Sequence, residues 1–380
     1  FFFGVPLQLG CAPSSRKMGC APSNRKERPK RKKMLLAEEE ENYFLNIEAR
    51  KTTVSFAAPP IKPGRRKLKI MRDTLTEYDR RRTQSAFVHD ENKDNETLIK
   101  ELLETAENGN GAAQNELGVF FENGRGVEVD PEKAFSWYKK AAFSGNPDGQ
   151  VNLGACYQSG YGTKENAKKA VACYHKAAEQ DHPNAMYNLW VCYRDGLGVV
   201  ADTKKAFEYC GRGAELKDSE CQFGFGALYE DGNGVEQNLS EALKWYTEAA
   251  KNGHAGAQYY LGVLYQSGTN GVQMDEKKAI EWHRKAADQG YARSLCNLGV
   301  CHLTGTGGTE QDYETAFNYF LEAAEEGHPL ARFNLGMCYE EGLGTDRDVQ
   351  KAFECYKLSA EEGCEAAEER LRQAEDGARA

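Results

Sequence analysis

The chain has 380 residues and carries 49 Lys and Arg against 58 Asp and Glu, a formal net charge of −9. That charge is split: residues 1–93 hold 21 basic and 11 acidic side chains, net +10, and residues 94–380 hold 28 and 47, net −19. An acidic body argues against nucleic-acid binding by that part, which needs clustered positive charge, and no stretch offers the roughly 18 to 20 apolar residues of a membrane-crossing helix.

Residues 1–93 read as a disordered basic arm. The opening FFFGVPLQLGCA could be the end of a signal peptide, but it lacks a basic n-region, and Gln8 suits a lipoprotein cleavage box poorly. Met18-Gly19-Cys20-Ala21-Pro22-Ser23 fits M-G-x-x-x-[ST], the N-myristoylation signal, with Cys20 placed where palmitate commonly follows. One myristoyl chain binds membranes only at about 10⁴ M⁻¹, so stable anchoring takes a second signal. Cys20 is one, and the seven basic residues from Arg25 to Lys33 are another, each worth up to roughly 1 kcal/mol near an anionic leaflet.

The signal operates only where Gly19 becomes the mature N-terminus, through translation from Met18; the upstream copy GCAPSSRK has no methionine. The expectation is a cytoplasmic protein, peripheral at the inner face of a membrane, touching anionic lipid through residues 19–33. Two alternatives stay open, a plain basic tail and a nuclear import signal from Lys26 to Lys33.

Residues 35–93 are mixed in charge, contain Pro59-Pro60 and Pro63 and show no sustained period, as a disordered tether would. Within them Arg80-Arg81-Arg82-Thr83-Gln84-Ser85 matches the basophilic kinase pattern R-x-R-x-x-S. Ser85 is the phosphorylation candidate, with Thr83 beside it; a phosphate there would set a dianion among three arginines.

DNETLIKELLETAENG, residues 94–109, predicts a capping helix. From residue 110 to 363 the chain repeats. Leu117-Gly118, Leu153-Gly154, Leu189-Trp190, Phe225-Gly226, Leu261-Gly262, Leu298-Gly299 and Leu335-Gly336 follow at steps of 36, 36, 36, 36, 37 and 37 residues. Seven copies at so regular a period signal a solenoid.

Each copy predicts two helices. Tyr157, Tyr193, Tyr229, Tyr265 and Tyr339 stand one turn after the leucine slot, building one apolar face. Gly124, Gly160, Gly196, Gly232, Gly268, Gly305 and Gly342 follow as left-handed helix ends. Asp130, Asn166, Asp202, Asn238, Asp275, Asp312 and Asp348 then stand where the second helix needs an N-cap. Small alanines such as Ala141-Ala142 and Ala249-Ala250 permit close helix contact. The polar stretch CEAAEERLRQAEDGARA, residues 364–380, predicts a final capping helix.

The pattern A-x-x-x-L-G-x-x-Y-x-x-G-x-G-V-x-x-D-x-x-K-A-x-x-W-Y-x-K-A-A-x-x-G resembles the Sel1-like repeat family, a relative of the tetratricopeptide repeat. The resemblance implies an all-α, right-handed α/α superhelical solenoid of about seven helix-pair repeats. It also implies a scaffold or adaptor role for protein partners. In the related tetratricopeptide fold the residue before the leucine faces the concave groove. That slot holds Glu116, Asn152, Asn188, Gly224, Tyr260, Asn297 and Asn334, with Arg293 one turn before Asn297. Asn152, Asn188, Tyr260, Arg293, Asn297 and Asn334 are therefore the candidate partner-binding residues: an amide both donates and accepts, and a guanidinium suits a carboxylate. A plainer reading has the asparagines bonding neighbouring helices.

No catalytic residue, metal site or cofactor is expected. There is no G-x-x-x-x-G-K-[ST], H-E-x-x-H, G-x-S-x-G or complete G-x-G-x-x-G, and the G-x-G pairs recur at one loop as turn chemistry. Of the twelve cysteines, Cys156, Cys192, Cys301 and Cys338 share one slot with Phe120, Leu228 and Leu264, as small apolar side chains would. Disulfides between Cys156 and Cys173, or Cys338 and Cys355, remain an alternative. Some cysteine-rich relatives are linked to β-lactam binding, with a bridge from the end of one repeat to the start of the next. Here Ala214 stands opposite Cys221, which speaks against that reading and against a secreted hydrolase. Trp190 in a glycine slot and Gly211-Arg212-Gly213 in a second helix mark the third repeat as either a weak joint or a site repaired by neighbouring packing.

Overall fold

The computed structural model describes residues 95–379, which form sixteen helices and, among the described residues, no strand. The disordered arm expected over 1–93, with Gly19, Cys20, Thr83 and Ser85, lies outside the described residues. Helix α1 (Asn95–Glu107) packs on the first repeat, and α16 (Glu365–Arg379) closes the last. Between them run seven helix pairs: α2 (Gly111–Asn123) with α3 (Pro131–Phe143), α4 (Pro147–Ser159) with α5 (Ala167–Ala178), and α6 (Pro183–Asp195) with α7 (Thr203–Glu215). Then come α8 (Ser219–Asp231) with α9 (Leu239–Lys251), α10 (Ala255–Ser267) with α11 (Glu276–Ala287), α12 (Ala292–Thr304) with α13 (Tyr313–Glu325), and α14 (Pro329–Glu341) with α15 (Val349–Glu361). Each helix packs mainly on the ones before and after it, as an α/α solenoid requires.

The local signals act as their chemistry dictates. The seven glycines that end the first helices have φ between 67° and 76°, a left-handed geometry that L side chains resist. The seven Asp or Asn residues before the second helices accept hydrogen bonds from their first free N–H groups, as Asp130 does from Lys133 at 3.0 Å.

The Leu-Gly pair has a steric cause. A Cβ on Gly154 would fall 2.5 Å from the Tyr174 ring, and one on Gly299 would fall 2.6 Å from Phe320. The second-helix aromatic thus lies flat against bare backbone. Its hydroxyl is then bonded to the first helix: Tyr174 donates to Gln158 at 2.7 Å, Tyr246 to Glu230 at 2.6 Å and Tyr356 to Glu340 at 2.7 Å, and Tyr138 donates to Glu122. In the sixth repeat the aromatic is Phe320, without a hydroxyl, and the acceptor slot holds Leu303. The lysine of the K-A phrase lies over the first-helix aromatic; Lys169, Lys205, Lys278 and Lys351 stand 5.2 to 5.3 Å from the ring centres of Tyr157, Tyr193, Tyr265 and Tyr339.

The third repeat is repacked rather than loose. Trp190 replaces the glycine, and Cys210 occupies the place opposite, where neighbouring repeats have Tyr174 and Tyr246. Arg194, in the acceptor slot, lies over the indole at 5.4 Å. Each unusual glycine nearby makes room for an oversized neighbour. A Cβ on Gly211 would sit 2.9 Å from the ring of Phe225, which stands in a leucine slot, and one on Gly213 would collide with the Cys221 side chain.

Repeats are joined by a ladder of buried glutamines. Gln114, Gln222 and Gln258 donate to the carbonyls of Ala106, Ala214 and Ala250, the ends of the preceding helices, at 2.9, 3.2 and 3.0 Å. Their amide oxygens accept from Ser144, Asn252 and Gln289 of the next. Each such buried bond is worth about 1 kcal/mol net.

Candidate functional site

The second helices α3 to α15 expose a broad polar face, whereas the first helices α2 to α14 are mostly buried or partly open, with a few exposed positions such as Glu220 and Arg293. The open positions on successive first helices are where a partner can meet several repeats at once.

The structure places the six candidate groove residues unequally. Asn152 is buried and donates to Asn115 of the preceding first helix at 2.8 Å. Asn334 is likewise buried, with its amide 3.8 Å from the Cys296 sulfur on the preceding first helix. The half-buried Asn297 has its amide nitrogen 3.5 Å from Nε2 of His283. Tyr260 donates to Glu230 at 2.5 Å, and Asn270 adds a bond to the same carboxylate at 3.0 Å; burial, with Glu230 beside it, pushes the Tyr260 hydroxyl well above its ordinary range. Asn188 is half-buried and Arg293 exposed. Among the six, Asn188, Asn297 and Arg293 are the ones that keep reach toward a ligand.

The neighbouring slot, two residues before the leucine position, escapes a reading centred on the asparagines. It holds Tyr187, Phe223 and Tyr259 at exact 36-residue steps, all three half-buried. Their rings meet further aromatics: Tyr187 packs edge-on against Trp190 at 5.5 Å, Phe223 stacks on His254 at 4.5 Å and Tyr259 lies 5.4 Å from Tyr291. One turn earlier stand Asn184, Glu220 and Gly256, and the same slot holds Asp148 before Val151 and Arg293 before Cys296. Asp148 is 3.1 Å from His182, and Glu220 3.2 Å from His254. The recurrence was present in the sequence, but aromatic residues at helical spacing read equally well as core.

The histidines serve the framework. His254 and His328 cap helices by accepting from the N–H groups of Ala257 and Ala331 at 2.9 and 3.2 Å. His283 is buried at 1% exposure in a tyrosine slot, with burial holding its pKa down to about 4. Cys156, Cys173 and Cys355 are free thiols, so neither alternative disulfide is formed. Burial pushes the Cys192 thiol up to about 12, which keeps it protonated and poorly nucleophilic. Cys221 lies by Gly213, and Cys210 donates its thiol to the Cys221 carbonyl at 3.3 Å. No helix among the described residues is long and apolar enough to cross a membrane.

The Sel1 repeat family model matches seven successive segments, residues 111–146, 147–182, 183–218, 219–254, 255–291, 292–328 and 329–364. The chain belongs to the Sel1 repeat family. Among solved structures it is similar to c5321, a protective antigen present in uropathogenic Escherichia coli strains and displaying the SLR fold. The identity there is 32%, over 70% of this chain and 56% of that one, with a TM-score of 0.61. It is also similar to a Sel1 repeat protein from Oxalobacter formigenes, at 27% identity over 83% of this chain and 98% of the other, with a TM-score of 0.60. The chain thus spans little more than half the length of the E. coli antigen. No curated protein matches it. Membership makes this a helical repeat solenoid.

Proposed function

We propose that this Sel1 repeat protein is a non-catalytic adaptor that binds protein partners along the concave face formed by its first helices. The observation that carries the reading is that first helices of successive repeats keep side chains open to solvent, Asn188, Tyr260, Arg293 and Asn297 among them, while the buried polar groups around them are spent on joining repeats. A multi-station face of this kind suits an extended protein segment, with the polar Asn188, Asn297 and Arg293 as its hydrogen-bonding and charged contacts. Charge substitutions at two of these, Asn188→Arg with Arg293→Glu, should abolish recovery of a partner that co-purifies with the tagged native chain. The exposed second-helix control Lys139→Glu should not. Equal recovery from both would remove the face assignment.

The basic arm supplies the address in this reading. Myristoylation of Gly19 and palmitoylation of Cys20, reinforced by the cations from Arg25 to Lys33, tether the adaptor to the cytosolic face of a membrane. Mass spectrometry of the mature N-terminus decides it: a myristoylated Gly19 supports the tether, and a mature chain retaining residues 1–17 refutes it. With the tether refuted, the Lys26–Lys33 cluster favours a soluble or nuclear adaptor.

A further inference from the structure

Resting on the partner-binding reading of the first-helix face, we propose that the row Tyr187, Phe223 and Tyr259 seats an extended, basic peptide whose apolar side chains recur at every third residue. Asp148 and Glu220 meet its cations.

The spacing follows from two dimensions. The first helices α6 and α8, which carry Tyr187 and Phe223, touch directly, and packed helices lie about 8–10 Å apart. An extended chain advances about 3.3 Å per residue, so one step from repeat to repeat corresponds to about three residues. Three aromatic stations in three consecutive repeats therefore read apolar side chains at i, i+3 and i+6.

The polarity of the ligand follows from charge. The solenoid residues carry a net charge of −19 over 94–380. Glu220, one turn before Phe223 on α8, and Asp148, at the same slot of α4 one repeat before the aromatic row, leave 49% and 37% of their side chains in solvent. A peptide with Lys or Arg between its apolar residues places cations over both carboxylates and the flat faces of the rings. In the sixth repeat the slot that holds Asp148 and Glu220 carries the exposed Arg293 instead, which gives the peptide an orientation.

The test uses the full chain and fluorescein-labelled nine-residue peptides read by fluorescence anisotropy. The probe is Leu-Lys-Lys repeated three times. The controls are a permuted peptide with its three leucines adjacent, and Leu-Glu-Glu repeated three times. The expected result is at least about tenfold tighter binding of the periodic basic peptide than of either control. Phe223→Ala should weaken it at least about fivefold, and Glu220→Lys should weaken it while flattening its salt dependence. Because Phe223 packs on Tyr246 at 5.3 Å, circular dichroism checks its fold; Glu220 is exposed, so its variant tests the site if Phe223→Ala unfolds. Equal binding of the two basic peptides, preference for the acidic one, no binding up to about 1 mM, or indifference to Glu220→Lys overturns the proposal. So does a self-associated state of the chain that Glu220→Lys disperses, since the face would then belong to a second copy. A natural partner lost with Arg293→Glu but indifferent to Phe223→Ala and Glu220→Lys would leave the adaptor reading standing and remove this one.

Discussion

The indole of Trp190 fills the space over Gly224, so that any side chain at residue 224 would strike the ring. At this junction the third and fourth repeats exchange large for small: tryptophan for glycine on α6, cysteine for tyrosine on α7, and glycine on α8 where four other repeats have asparagine. The partners have to change together. Trp190→Gly alone should cost about 3–5 kcal/mol, by analogy with other large truncations in cores. Combining it with Cys210→Tyr and Gly224→Asn should return at least about 1 kcal/mol as coupling, because these side chains share one space. Urea unfolding of the single, double and triple variants measures it; strict additivity would contradict the exchange.

Glycine is required opposite the second-helix ring for a reason separate from backbone flexibility. Gly154→Ala forces a Cβ to within 2.5 Å of Tyr174 and should destabilise by about 1–3 kcal/mol. The cost should shrink when Tyr174 is also replaced by Ala. Thermal melts of the two variants and the double variant give the comparison.

The hydroxyl and its acceptor travel as a unit. Phe320→Tyr would aim a hydroxyl at Leu303, where every other repeat but the third supplies Glu or Gln, and should cost about 1–3 kcal/mol for the unsatisfied group. Adding Leu303→Glu should recover most of it. Tyr174→Phe, which deletes the 2.7 Å bond to Gln158, should cost about 1 kcal/mol.

Acid should loosen the fifth and sixth repeats first through His283. Burial lowers its pKa from 6.5 to about 4, so the unfolded chain binds the proton more readily than the folded one. Its contribution to stability is complete above pH 6.5 and is lost as pH falls toward 4, up to roughly 3 kcal/mol. His283→Phe, which copies the sixth repeat, should flatten this part of the curve. Denaturation midpoints at pH 7 and pH 5 for both chains test the sign.

Much of the fold could be read from spacing because each repeat spells out its own ends. Gly124 to Gly342 and Asp130 to Asp348 act through local chemistry, and local chemistry is written in neighbouring residues. What could not be read is which of two adjacent slots faces outward. Buried Gly224 sits one residue from half-buried Phe223, and a shift of one residue on a helix turns a side chain by about 100°. Choosing between them needs the crossing of neighbouring helices, which lies 36 residues away. The glycines of the third repeat were opaque for the same reason: Gly211 is explained by Phe225 and Gly213 by Cys221, partners on different helices.

The second glycine of each turn gives the array a direction. Gly162, Gly198, Gly234 and Gly344 are pressed against the opening residues of the preceding repeat's second helix, at Pro131, Ala167, Thr203 and Tyr313. These four turns therefore take their seats from the repeat already behind them. A chain emerging from the ribosome completes its seats in the order it is made. Trimming from the C-terminal end leaves each remaining turn supported, whereas removing a repeat from the N-terminal end unseats the next one.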